Sequence, residues 1–109
     1  KKIPKLNDNV IPIVGWIQDT LPKFLNEKQP KICFIHMDVD TYQSSKFILE
    51  KIKPFLTNNS IILFDEIYNF EGWDVGEYKA LKEVFNDDEF RFISFSIDTA
   101  QAAIKIFKK

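Results

Sequence analysis

The chain has three glycines, one histidine, one arginine and one cysteine in 109 residues, and no long apolar run. Each scarcity removes a class of protein. Cys33 has no partner for an internal disulfide and lies inside an apolar run, where it reads as a small buried hydrophobe of a reduced protein. No stretch of about 18 uncharged apolar residues exists. The start KKIPKLNDNV lacks the apolar core of a signal peptide, so the expectation is a cytoplasmic protein with no membrane partner. With 15 Lys+Arg against 16 Asp+Glu, and no basic block, no nucleic-acid partner is expected, because phosphate binding needs a concentrated positive field. Gly15, Gly72 and Gly76 form no G-x-G, and no G-x-x-x-x-G-K-[ST] loop occurs. What remains is a foldable chain: 45% hydrophobic residues argue against disorder, and the length allows one domain, residues 1–109.

Apolar patterning sets an order of elements. Val10–Val14, stopped by Gly15, reads as a short strand. Asp19 is a candidate N-cap for a short helix over Thr20–Leu25. Lys31–Met37 is nearly continuous apolar sequence ending in Asp38-Val39-Asp40, the pattern of a parallel strand buried on both faces. Ile48, Leu49, Ile52, Phe55 and Leu56 then repeat at helical spacing, with Asp40 and Gln43 as a capping-box-like pair. After a turn at Thr57–Asn59, Ser60–Phe64 reads as a second buried strand ending in Asp65-Glu66. A loop through Tyr68–Trp73 leads to a helix with Tyr78, Leu81, Val84 and Phe85 on its apolar face, capped by Asp74 and Glu77. Arg91–Phe95 and Ala102–Phe107 read as an antiparallel hairpin turning near Asp98-Thr99. Strands alternating with helices indicate an α/β three-layer sheet with an antiparallel edge.

In such sheets ligands sit beyond the carboxyl ends of the strands, where this sequence delivers Asp38/Asp40 and Asp65/Glu66. Neighbouring strands would bring these four carboxyls together. Their mutual repulsion would call for a cation, and hard oxygen donors suit Mg²⁺, Ca²⁺ or Mn²⁺. The plainer alternative is that such acids cap the next helix or face water. A haloacid-dehalogenase-like phosphatase would place its Asp-x-Asp after the first strand and favour Thr or Val where Tyr42 stands. A nucleotide-sugar glycosyltransferase could use Asp38-Val39-Asp40 for a metal–diphosphate, although its nucleotide-binding half has no counterpart here.

Four segments in order carry a resemblance: Gly15-Trp16-Ile17-Gln18-Asp19-Thr20-Leu21-Pro22, Phe34 to Lys46 around Asp38-Val39-Asp40, Ile62-Leu63-Phe64-Asp65-Glu66, and Phe70 to Ala80 around Trp73. Together they resemble the macrocin O-methyltransferase family, class I S-adenosylmethionine-dependent enzymes, from residue 10 to residue 107. The resemblance implies a Rossmann-like methyltransferase sheet of order 3-2-1-4-5-7-6. This chain would supply strands three to seven, the carboxyl-terminal part of a catalytic domain.

By that resemblance Asp38, Asp65 and Glu66 hold Mg²⁺, which binds the hydroxyl to be methylated, and Asp40 is the candidate base. Catechol O-methyltransferase resembles this layout but has a Lys near Thr41, so the base stays open between Asp40, His36 and none; His36 reads as a structural histidine of a buried strand. Gly15, Trp16 and Gln18 match the adenine-contacting loop, with Asp38 also at the cofactor, and Tyr68, Phe70 and Trp73 would wall the acceptor. For Trp16 the alternative is a core anchor, and for the loop aromatics a loop pinned to its own helix. The implied acceptor is a small molecule with a hydroxyl, by default on a sugar of a secondary metabolite. The glycine-rich turn after strand one and the ribose-binding acid after strand two have no counterpart, so activity of this chain alone is not expected. The competing class is a non-catalytic α/β module, or a fragment completed by a partner; an exposed sheet edge could also pair two copies.

Overall fold

The computed structural model describes residues 4–108. The two most apolar runs become adjacent parallel strands, β1 (Ile32–Met37) and β2 (Leu56–Phe64), and the tail becomes an antiparallel pair, β3 (Phe90–Phe95) and β4 (Ala102–Ile106). β4 returns between β2 and β3, giving the order β1-β2-β4-β3, with β2 and β4 antiparallel. This is the 4-5-7-6 portion of the expected sheet. Three helices alternate with the strands: α1 (Ile17–Lys28), α2 (Tyr42–Ile52) and α3 (Glu77–Val84). α1 packs on α2 and α2 on α3, so the described helices form a single layer.

Burial follows the pleat. On β2 Leu56, Ser60, Ile62 and Phe64 are buried while Ile61 and Leu63 are half-buried, and on β4 Ala102, Ile104 and Ile106 alternate in the same way. These inward residues join Leu49, Ile52, Ala80, Leu81 and Phe85 in one core. Enclosing a side chain the size of Phe64 contributes about 1.5–3 kcal/mol, so this cluster dominates the stability. The other face of the sheet carries no helix among the described residues, so two of the three expected layers are present.

Several local expectations change. Residues 10–14 form no strand and lie exposed, pairing with no strand of the sheet, the open edge of β1 included. α1 begins at Ile17 with Trp16 as its N-cap, so Asp19 falls inside the first turn. β1 is an edge strand and not a doubly buried one: Phe34 is 56% exposed and Cys33 is exposed as well. The cap of α2 is Thr41, whose Oγ1 accepts the Ser44 N–H at 3.1 Å, and not Asp40. That leaves Asp40 outside the helix-capping role. The turn at Thr57–Asn59 is absorbed into β2 as an irregularity: Asn59 has φ 76° and the buried Ser60 hydroxyl donates to the Ile32 carbonyl at 2.6 Å.

The start of α3 shows a different kind of departure. Glu77 does not cap its helix by a side-chain bond; it is 4% exposed and its Oε1 accepts the Glu66 N–H at 2.9 Å, while Oε2 has no hydrogen-bond partner. Burial, reinforced by the charges of Glu66, Asp65 and Asp38, pushes its carboxyl up to about 8 from the usual 4.5, against the opposing Glu66 hydrogen bond. A folded-state value above the unfolded one means that the native protein holds a proton the unfolded chain has released. The resulting stability is complete below pH 4.5 and is lost as pH rises through about 8. In metal-free buffer, Glu77→Gln is expected to flatten the fall in Tm between pH 5 and 8 and to be the more stable protein at pH 8 by roughly 4 kcal/mol. Parallel pH profiles of wild type and variant by thermal denaturation check this.

Candidate active site

The β1–β2 register places the acids. Met37 pairs with Phe64, and the Asp65 N–H extends the ladder by bonding the Met37 carbonyl at 3.0 Å. The residues leaving the two strands, Asp38 and Asp65, are therefore side by side, and their carboxyls interact. Asp65 Oδ1 accepts the Gln101 Nε2–H at 2.8 Å and lies 3.4 Å from His36 Nε2. The Gln101 amide, ahead of the His36 and Asp38 side chains, holds the Asp65 carboxyl below its usual range against the opposing effect of burial. His36 is consequently not the enclosed structural histidine that a doubly buried strand implied. Its side chain is 45% exposed and faces the acid.

Gln101 gave no local sequence signal, yet its placement is the best braced in the site. Its backbone N–H donates to Ser96 Oγ at 3.1 Å and its carbonyl accepts the Ser96 N–H at 3.0 Å, closing the β3–β4 turn. The Thr99 hydroxyl bonds Ser96 Oγ at 2.6 Å, the Tyr68 hydroxyl donates to the Ser96 carbonyl at 2.6 Å, and the Ile67 N–H reaches the Ala100 carbonyl at 2.9 Å. The hairpin turn is thus tied to the loop that follows Asp65-Glu66.

Two hollows flank the acids. One, about 460 Å³, is lined by Asp65, Glu66, Phe70, Thr99, Ala100 and Gln101. The other, about 360 Å³ and mostly apolar, opens between α1, β1 and α2, with His36 and Asp38 at its rim beside Ile17 and Leu21. The structure thus separates the expected acceptor wall: Phe70 stays with the acids, whereas Tyr68 and Trp73 line a third, aromatic pocket. The expected convergence of four carboxyls is not formed. Among the described residues no three of His, Cys, Asp and Glu lie close enough to hold a metal ion. Of the expected donors, Asp38 and Asp65 are brought together, while Glu66 is an exposed loop residue whose backbone is turned toward Glu77. Asp40 is exposed in the turn before α2.

The segment expected at the cofactor precedes α1. Gly15 has φ +144° and a side-chain carbon there would lie 2.8 Å from Thr20 Cγ2, so the turn admits only glycine. The Trp16 carbonyl is held by the Thr20 hydroxyl at 3.1 Å and by the N–H groups of Asp19 and Thr20, yet its indole is 79% exposed. Trp16 is therefore no core anchor. Gln18 is exposed on the first turn of α1. No helix of the described residues is long and apolar enough to cross a membrane.

Comparison with known proteins agrees with this architecture. No curated protein matches the chain in sequence. Two solved structures of CalS11 do match. One is described as the apo form of a TDP-rhamnose 3′-O-methyltransferase of calicheamicin biosynthesis (33% identity, TM-score 0.73, 85% of this chain and 40% of that one). The other is described as calicheamicin methyltransferase (34% identity, TM-score 0.71, 84% and 35%). A S-adenosylmethionine-dependent methyltransferase from Streptococcus mutans, described as putative, shares the fold at 11% identity (TM-score 0.58, 85% and 30%). The chain spans 40% or less of each of these proteins. The glycosyltransferase reading of Asp38-Val39-Asp40 gives way to these matches. The family described as "Methyltransferase domain" matches residues 1–67, more than half of the chain, and the chain belongs to that family.

Proposed function

We propose that this chain is the acceptor-side portion of an O-methyltransferase that moves a methyl group from S-adenosylmethionine to a hydroxyl of a sugar or sugar-bearing metabolite. The observation that carries this reading is the pair Asp38 and Asp65 at adjacent strand ends, between an apolar cleft on the α1 side and the hollow walled by Glu66, Phe70 and Gln101. The family match and the likeness to CalS11, described as acting on TDP-rhamnose, support it.

In this reading the exposed Trp16 indole, set by the Gly15 turn, offers the flat face for the cofactor's adenine, with Gln18 beside it. The acceptor occupies the hollow, with Phe70 against its apolar face and the Gln101 amide keeping the Asp65 carboxylate fixed as its hydroxyl approaches. Fixing donor and acceptor in line supplies much of the rate. Asp40, outside the helix cap, takes the hydroxyl proton as the methyl leaves sulfur. The donor chemistry of Asp38 and Asp65 fits Mg²⁺, which is commonly bound by one or two carboxylates while keeping several waters. Such an ion would lower the pKa of the acceptor hydroxyl.

Two outcomes follow. In a catalytically competent protein containing this segment, Asp40→Asn is expected to lower kcat about 100-fold with KM for the cofactor unchanged, as assays with radiolabelled methyl donor would show. Full activity in that variant would remove Asp40 as the base. For the isolated chain, millimolar Mg²⁺ is expected to raise Tm by several degrees in wild type and not in Asp38→Ala. No shift in wild type would remove the metal from the reading.

A further inference from the structure

The aromatic pocket beside the acids is a different chemical environment from either hollow. Tyr68, Trp73, Tyr78, Phe92 and Phe95 line it above Ile67, enclosing about 360 Å³. Two ring pairs are set close to right angles: Tyr68 against Phe95 at 5.3 Å and 79°, and Trp73 against Tyr78 at 5.1 Å and 72°. Phe92 stacks behind Phe95 at 5.2 Å. The Tyr68 ring is held in place by its hydroxyl bond to the Ser96 carbonyl. Rings at right angles around one space present both π-faces and edges to an occupant.

Charge decides what that occupant is. Residues 66–78, which carry three of the rings, contain the exposed Glu71 and Asp74 and no Lys or Arg, while Glu66 lines the other hollow and buried Glu77 holds its proton; residues 92–101, which carry the other two, contain the exposed Asp98 and no Lys or Arg. The basic residues that adjoin these segments are directed elsewhere. Lys79 Nζ lies 4.6 Å from the Tyr42 ring and the Arg91 guanidinium 5.4 Å from the Phe107 ring. A pocket whose lining is aromatic and carries no charged side chain, on segments of net negative charge, attracts a weakly hydrated positive group, which gains from the ring quadrupoles and from the negative field of those segments. A phosphate or carboxylate would be repelled there.

We propose that this pocket binds a small-molecule tertiary or quaternary ammonium group. Its volume suits one small ring bearing an alkylated amine, at the lower end of the range for ligand sites. As part of the acceptor site it rests on the methyl-transfer reading and makes the acceptor a cationic one. As a cation site it does not rest on that reading, and its test uses no methyl donor, so the two fail separately.

The probes are choline and its uncharged isostere 3,3-dimethylbutan-1-ol, titrated into the chain and followed by chemical-shift changes of the Trp73 and Phe95 side chains. Choline is expected to bind saturably and at least about tenfold more tightly than the neutral isostere. Trp73→Leu and Phe95→Leu, both at partly exposed rings and checked for folding by circular dichroism, are expected to lose the preference, read from the choline methyl line width. Equal affinity for the two probes would mean a merely hydrophobic pocket and overturn the proposal. So would the absence of binding up to about 100 mM, an affinity near zero on the scale of specific recognition, or an unchanged preference in both folded variants.

Discussion

The parallel pairing of β1 with β2 is the constraint on which the site depends. It sets Met37 beside Phe64 and continues as the hydrogen bond from the Asp65 N–H to the Met37 carbonyl, so the first residues past each strand leave the sheet together. Slipping the register by one residue would turn Ile62 and Phe64 out of the core and separate Asp38 from Asp65 in the same movement. Packing and chemistry therefore share one geometric cause.

What the core brings together, polar groups then stabilise. Carboxylates at one sheet end repel one another, and the fold answers with polar partners: the Gln101 amide on Asp65, the His36 ring beside it, and the Glu66 backbone on Glu77. Gln101 can act this way because β4 runs antiparallel to β2, so that its start lies beside the end of β2, and because Ser96 locks both backbone groups of Gln101. Glu77 takes the opposite solution: buried with one oxygen unpartnered, it keeps its proton to a higher pH.

Much of this was legible in the sequence. The continuous runs ending in acids named β1 and β2 and their order, the helical spacing named α2 and α3, and the tail pattern named the hairpin. The misreadings have physical causes. A continuous apolar run reports affinity for a core but not the number of neighbours, so the run predicts burial for Cys33 and His36 on a strand that lies at an edge. Residues 10–14 have strand composition, but composition does not fix pairing, and they leave the open edge of β1 unused. Asp40 and Thr41 both favour an N-cap, and only the backbone angle at Thr41 decides between them. Glu77 at a helix start looks like a cap until the Glu66 amide is seen to face it. Gln101 lies 36 residues from Asp65 and has no local signal, although an antiparallel return beside β2 places the start of the returning strand at the acids.

The central claim is that the hollow at Asp65, Glu66, Phe70 and Gln101 receives a sugar hydroxyl. The most direct test is titration of a simple methyl rhamnoside into the isotopically labelled chain, following the Gln101 side-chain amide and the Glu66 backbone amide by NMR. The account predicts saturable shifts concentrated at Gln101, Glu66 and Phe70, abolished by Gln101→Ala. Shifts confined to the open edge of β1, or no shift at the Gln101 amide while the sugar binds elsewhere, would contradict it.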